Sequence, residues 1–168
     1  MEIILIRHAK AETRDANSWP DDDLRPLTAE GRAEQRAAAR AMKKMGIKFD
    51  FLVTSPLLRA KETADLVAKS YRWSEAAQVA EDLGHEYSVG AVVKLLAKFP
   101  PDAAVALVGH EPDLSDLASA LVSKNGDVNI AVKKSGVVGI EFDGPAEAGK
   151  GTLLFHLKPG HLRKLAEG

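Results

Sequence analysis

Glu2-Ile3-Ile4-Leu5-Ile6-Arg7-His8-Ala9-Lys10 is the stretch on which the fold turns. Residues 2 to 7 form a short continuous apolar run, rich in β-branched side chains and ended abruptly by charge, which suits a central strand buried on both faces. Beyond it lies a polar stretch, Lys10 to Arg25, which contains Asp21, Asp22 and Asp23. Thr28 then stands where an N-cap opens a helix with Ala33, Ala37, Ala41 and Met45 at four-residue spacing, closed by Gly46. Phe51 to Thr54 reads as a second strand. Ser55-Pro56 can cap and start a helix through Leu58, Ala60, Thr63, Ala64 and Val67. Residues 78 to 83 suit a short strand, and Val89 to Phe99 has helical spacing. Ala103 to Val108 is another apolar run, ended by Gly109-His110 and followed by Pro112 and a helix through Leu114, Leu117, Ala118 and Leu121. Val137 to Phe142 and Thr152 to Leu157 alternate as an antiparallel pair across a Gly-rich turn. The order predicts an α/β fold: a three-layer α/β/α sandwich with a mostly parallel central sheet and a C-terminal antiparallel hairpin.

Composition narrows the function classes. A length of 168 residues predicts one domain over 1–168, and 45% apolar with 28% charged residues is the balance of a globular chain. Lys and Arg number 23 against 24 Asp and Glu, so the formal net charge is −1 and there is no whole-protein case for nucleic acid or an acidic membrane. An anion site must be built locally. The absence of Cys excludes disulfides, Cys-based zinc sites and thiol nucleophiles. The opening apolar run is too short for a signal peptide or a membrane span, so a cytoplasmic, monomeric protein is expected.

In open parallel sheets ligands sit beyond the carboxyl ends of the strands. Three predicted parallel strands end in reactive residues: Arg7-His8, Ser55 with Arg59 one helical turn on, and Gly109-His110. A pocket holding two Arg and two His suits a phosphoryl dianion, because guanidinium forks match phosphate oxygens and a His can be a neutral nucleophile or a cation near neutral pH. Gly144-Pro145-Ala146-Glu147-Ala148-Gly149-Lys150-Gly151-Thr152 satisfies most of the Gly-x-x-x-x-Gly-Lys pattern of a nucleotide-binding loop. That loop must lead into a helix, whereas Leu153 to Leu157 is strand-like, so a hairpin turn is expected.

Leu5-Ile6-Arg7-His8-Ala9-Lys10 resembles the Arg-His-Gly signature of the histidine phosphatase (phosphoglycerate mutase-like) superfamily, with Ala9 in place of the usual Gly. Three further motifs follow in the family's order. Leu27-Thr28-Ala29-Glu30-Gly31 is similar to its Leu-Thr-x-x-Gly segment, Ser55-Pro56-Leu57-Leu58-Arg59-Ala60-Lys61-Glu62-Thr63 to its Ser-Pro-x-x-Arg-Ala-x-x-Thr segment, and Gly109-His110-Glu111-Pro112 to its Gly-His-x-Pro segment. The small size and the Asp23-Leu24-Arg25-Pro26-Leu27-Thr28 run resemble a short bacterial branch. The resemblance implies a metal-independent phosphatase without cofactor, in which His8 is the nucleophile and becomes a phosphohistidine. Arg7, Arg59 and His110 then bind and stabilise the phosphoryl oxygens. The attacking ring must be neutral, so its other nitrogen should donate to a backbone carbonyl or a carboxylate.

Many members carry an acid that protonates the leaving oxygen. The corresponding region here, Glu81-Asp82-Leu83-Gly84-His85-Glu86-Tyr87, offers Glu86, Glu81 or His85 without a clear match. A phosphoramidate depends less on such an acid, because an imidazole can leave already protonated. The expected partner is therefore a phosphorylated protein of a bacterial phosphorelay, such as a histidine phosphotransfer domain. The alternatives are a small phosphomonoester, for example a sugar or nucleotide phosphate, or a binding module that holds a phosphorylated partner without turnover. Arg25 and Lys10 remain open between substrate contacts and solvated charges.

Overall fold

The computed structural model describes residues 1–167. One sheet of six strands runs β3 (Gln78–Val79), β2 (Phe51–Thr54), β4 (Ala104–Gly109), β1 (Glu2–Arg7), β5 (Val137–Glu141), β6 (Thr152–Leu157) in spatial order. The first four are mutually parallel, while β5 runs antiparallel to both β1 and β6. The opening apolar run is thus an interior strand, as its unbroken hydrophobicity requires.

Its side chains alternate between two cores. Ile4 and Ile6 join Leu52, Ala106 and Val108 beneath α1 (Ala29–Lys44), α2 (Leu58–Tyr71) and α5 (Pro159–Glu167). Ile3 and Leu5 join Val53, Val105 and Leu107 beneath α3 (Val89–Leu96) and α4 (Asp113–Val122). Helices on both faces of one sheet make the three layers expected from the sequence. The two cores follow from period-two alternation on the interior strands β1, β2 and β4, which are buried on both faces.

Several local expectations shift. The Ala33, Ala37, Met45 stripe does not face the sheet: the buried face of α1 is Gln35, Ala38, Ala39, Ala41 and Met42, and Met45 is 43% exposed. An Ala-rich helix offers several equivalent stripes, and the rotation is fixed by the bulk of Met42 and by the close approach at Gly31. A Cβ at Gly31 would lie 2.1 Å from the Lys10 carbonyl oxygen. Ser55-Pro56 does not cap α2, which begins at Leu58 with Leu57 at the N-cap and no side-chain cap bond. The strand expected over 78 to 83 is only Gln78–Val79, followed by a 3-10 turn at Glu81–Leu83. Pro159 opens α5, a helix the sequence reading lacked; proline is at home in a first turn. Gly144 to Gly151 is the hairpin turn, with Lys150 paired to Glu147 at 2.6 Å and Thr152 starting a strand. Among the described residues no helix is long and apolar enough to cross a membrane.

Candidate active site

Strand register alone brings the expected residues together. Arg7 pairs with Gly109 across β1 and β4, so His8 and His110 leave adjacent strands at the same level; Thr54 pairs with Val108, so Ser55 leaves β2 beside them. The His8 and His110 ring centroids are 5.0 Å apart. Arg59 enters from the first turn of α2. All of His8, Arg59 and His110 are buried, at 7%, 8% and 8% exposure, and Arg7 is partly buried.

The loop after β1 is held by residues of the other motifs. Ala9 N–H donates to Thr63 Oγ1 at 3.1 Å, and that hydroxyl donates to the Arg59 carbonyl at 2.7 Å. Glu62 accepts from the Leu27 N–H and from Arg32, both at 2.6 Å. Thr28 caps α1 through the Gly31 N–H, and its own N–H donates to the Lys10 carbonyl at 3.0 Å. The Leu-Thr-x-x-Gly and Ser-Pro-x-x-Arg-Ala-x-x-Thr segments thus fix the backbone on which His8 stands.

His8 Nδ1 lies 2.7 Å from the Ala9 carbonyl oxygen. A carbonyl only accepts, so Nδ1 carries the proton and the lone pair is on Nε2. Burial, followed by the neighbouring His110, pushes the His8 pKa down to about 3; the Ala9 bond opposes this, and Arg59 and Arg7 add to it. His110 falls to about 4, again by burial first, then through Arg59, His85, Arg7 and Arg25. Both rings are neutral at pH 7. Arg7 and Arg59 bear on both rings as cations, in a chain whose formal net charge is −1.

The two arginines are braced from outside. Arg7 Nη1 donates to the Val132 carbonyl at 2.9 Å, and Arg59 Nη1 donates to the Asp22 carbonyl at 2.9 Å. The Asp22 carboxylate stands 3.3 Å from Arg59 and also accepts from Arg25 Nε at 2.8 Å. Arg25 donates a further bond to the Glu12 carbonyl at 2.8 Å, so it is a half-buried brace of Asp22 whose charge reaches His110. Burial lowers both arginine pKa values from their ordinary range, yet guanidinium groups stay charged. Arg7 Nε, Arg59 Nε and His110 Nδ1 are buried without a hydrogen-bond partner. Leaving such groups unpaired costs about 1–3 kcal/mol each, which an oxyanion among them would offset.

Two participants, Asp22 and Glu111, escaped the sequence reading, and Ser55, read there as a strand end and helix cap, takes a further part. The Ser55 hydroxyl lies 2.7 Å from His110 Nε2 and accepts from the Leu57 N–H at 3.3 Å. Asp22 holds Arg59, although its place in a run of three Asp gave no hint which one turns inward. Glu111 bonds Ser115 Oγ at 2.5 Å, Ser115 accepts from the Val132 N–H at 3.4 Å, and Val132 holds Arg7. Helical i,i+4 spacing could have found the Glu111 to Ser115 link. Glu86 and Glu81 are exposed, and His85, also exposed, pairs with Asp23 at 2.8 Å. Lys10 is exposed and pairs with Glu30 at 2.5 Å. Among the described residues no three His, Asp or Glu side chains gather as metal ligands.

Comparison with known proteins adds four likenesses. The profile of the histidine phosphatase superfamily (branch 1) matches residues 3–102. An uncharacterized protein of Picosynechococcus sp. is 34% identical over 142 residues, covering 83% of this chain and 84% of that one. The phosphohistidine phosphatase SixA of Escherichia coli strain K12 is 28% identical over 165 residues, 97% of each chain. A solved structure of the protein histidine phosphatase SixA complexed with tungstate superposes with a TM-score of 0.83 at 27% identity, covering 96% of this chain and 99% of that one.

Proposed function

The chain belongs to the histidine phosphatase superfamily, and from that premise we propose that this phosphatase acts on protein phosphohistidine through a covalent intermediate on His8. The observation that carries the proposal is the His8 tautomer: Nδ1–H is committed to Ala9, and the lone pair on Nε2 belongs to a neutral ring among cations. Nε2 attacks phosphorus, and the bond from phosphorus to the substrate nitrogen breaks. The substrate imidazole, protonated on its other nitrogen, leaves neutral. Water then hydrolyses phospho-His8, releasing inorganic phosphate and restoring the ring.

Arg7, Arg59 and His110 hold the phosphoryl oxygens through this exchange. Ser55 can donate to His110 Nε2 while accepting from the Leu57 N–H, which leaves the His110 proton on Nδ1, its unpartnered nitrogen. That N–H is then a donor for a phosphoryl oxygen. Stabilising charge on a loose transition state is the main task in phosphoryl transfer, and these side chains supply positive charge without a metal ion. A phosphoramidate substrate is favoured because the candidate acids Glu81 and Glu86 are exposed, and an imidazole leaving group needs no added acid.

The test is a substrate screen in excess EDTA: a protein phosphohistidine against sugar, nucleotide and amino-acid phosphomonoesters, with wild type and His8→Ala. The protein phosphohistidine should be turned over fastest, and rapid quenching should trap acid-labile, base-stable phosphate on His8. Faster turnover of a phosphomonoester would replace the substrate assignment, and a trapped acyl phosphate or phosphoserine would replace the mechanism.

A further inference from the structure

Beside the catalytic pocket lies an open cleft of about 400 Å³ lined by Arg7, Lys10, Glu34, Lys133, Lys134 and Pro159. Arg7 is a wall of both. Lys10 is already engaged with Glu30, whereas Lys133 and Lys134 are exposed and make no ion pair among the described residues. Two adjacent unpaired lysines beside a buried cationic pocket are a local concentration of positive charge that nothing in the chain's near-neutral balance requires.

The turn that carries them is rigidly built. Ser135 is fully buried with φ 58°, a left-handed conformation that costs a non-glycine residue of order 1 kcal/mol or more. Its N–H donates to the Arg7 carbonyl at 3.1 Å. Gly136 N–H donates to the Lys133 carbonyl at 2.7 Å, and the Arg7 N–H donates to the Gly136 carbonyl at 3.2 Å. A Cβ at Gly136 would lie 2.7 Å from the Lys133 carbonyl oxygen. The dilysine is therefore bonded to the strand end that bears Arg7 and His8, at a fixed offset from the proposed nucleophile. A merely solubilising pair of lysines would need no such anchoring.

We propose that this cleft is the docking site for an acidic segment of the phosphoprotein substrate, with Lys133 and Lys134 receiving Asp or Glu side chains that flank the phosphohistidine. The proposal rests on the reading of the substrate as a protein phosphohistidine. Charge complementarity selects the occupant. A cleft open to solvent suits a polypeptide surface, and the two exposed ammonium groups, carried on a backbone turn held beside Arg7, act by steering and orienting an anionic partner.

The experiment compares two synthetic peptides phosphorylated on a single His, one flanked by Asp and Glu and one by Gly and Ser, with free phosphohistidine as the small control. At low salt the wild type should favour the acidic peptide about tenfold in kcat/KM, and the preference should fade as ionic strength rises. In K133Q/K134Q that preference should vanish, while turnover of free phosphohistidine and the melting temperature stay unchanged. Equal turnover of both peptides by wild type, or a preference that survives in K133Q/K134Q, overturns the docking site while leaving the substrate class standing. Turnover of phosphomonoesters with neither peptide touched overturns the substrate class, and the docking site with it. A loss of free phosphohistidine turnover in K133Q/K134Q equal to the loss on the acidic peptide also overturns docking, because it would put the lysines at the phosphoryl group itself.

Discussion

Arg59→Ala separates catalysis from folding at one position. The guanidinium spends Nη1 on the Asp22 carbonyl and leaves Nε buried without a partner, so Nε and Nη2 form a fork free for two oxygens of the phosphoryl group. Removing a preorganised charged donor from such a site costs about 3–4 kcal/mol of transition-state stabilisation, or roughly two to three orders of magnitude in kcat. Stability should change far less. Asp22 keeps its bond to Arg25 in the variant, so no carboxylate is orphaned, and like-charge crowding around His8 and His110 is relieved. A net change within about 1 kcal/mol shifts the melting temperature of a chain this size by roughly 2–4 °C. Arg59→Lys should recover only part of the rate, since a single ammonium lacks the parallel fork and lies within reach of Asp22. The assay is steady-state turnover of a phosphohistidine peptide alongside calorimetry. A folded Arg59→Ala enzyme within about tenfold of wild-type kcat would refute the assignment of Arg59 to the phosphoryl oxygens.

Two further outcomes follow from other parts of the structure. Gly31→Ala should destabilise the chain by roughly 1–3 kcal/mol and lower activity with it, because the new Cβ would press on the Lys10 carbonyl at 2.1 Å and push the loop bearing His8; unaltered melting and turnover would show that the loop yields freely. His8 and His110 have folded pKa values of about 3 and about 4, below the ordinary 6.5, so the unfolded chain binds protons first as pH falls. Their contribution is complete above about pH 6.5 and is lost between there and about pH 3, at up to about 1.4 kcal/mol per pH unit for each ring. Denaturant titrations at pH 7 and pH 5 should therefore show a smaller stability loss in His8→Asn/His110→Asn than in wild type, and equal losses would refute the buried neutral pair.

The parts of this protein legible in its sequence are those dictated by period and sterics. Residues 2 to 7 had to be an interior strand because they offer no polar face. The strand ends at His8, Ser55 and His110 were legible as a cluster because parallel strands deliver their carboxyl ends to one edge. Helix rotation was not: the alanines of α1 are too alike for spacing to choose a face, and the choice is made by Gly31 and Met42 in three dimensions. Ser55 looked like a helix cap because caps and strand ends favour the same residue types, yet its hydroxyl serves His110. Asp22 and Glu111 act through partners 37 and 4 residues away, and the longer of those links exists only after the loops have docked. α5 was missed because Pro159 punctuates a chain equally well as an end or as a beginning.

Asp22 has a consequence for the later half of the catalytic cycle. On the proposed mechanism, a pocket made only of cations would also hold product phosphate, and its release would slow each turnover. The Asp22 carboxylate, 3.3 Å from Arg59, is a built-in competitor for that guanidinium. Because both Asp22 contacts are made at Nη1, an anion on the Nε and Nη2 fork meets the opposing charge of the carboxylate without displacing its bond. On the proposed mechanism, that opposing charge weakens the grip on product phosphate and so speeds its clearance.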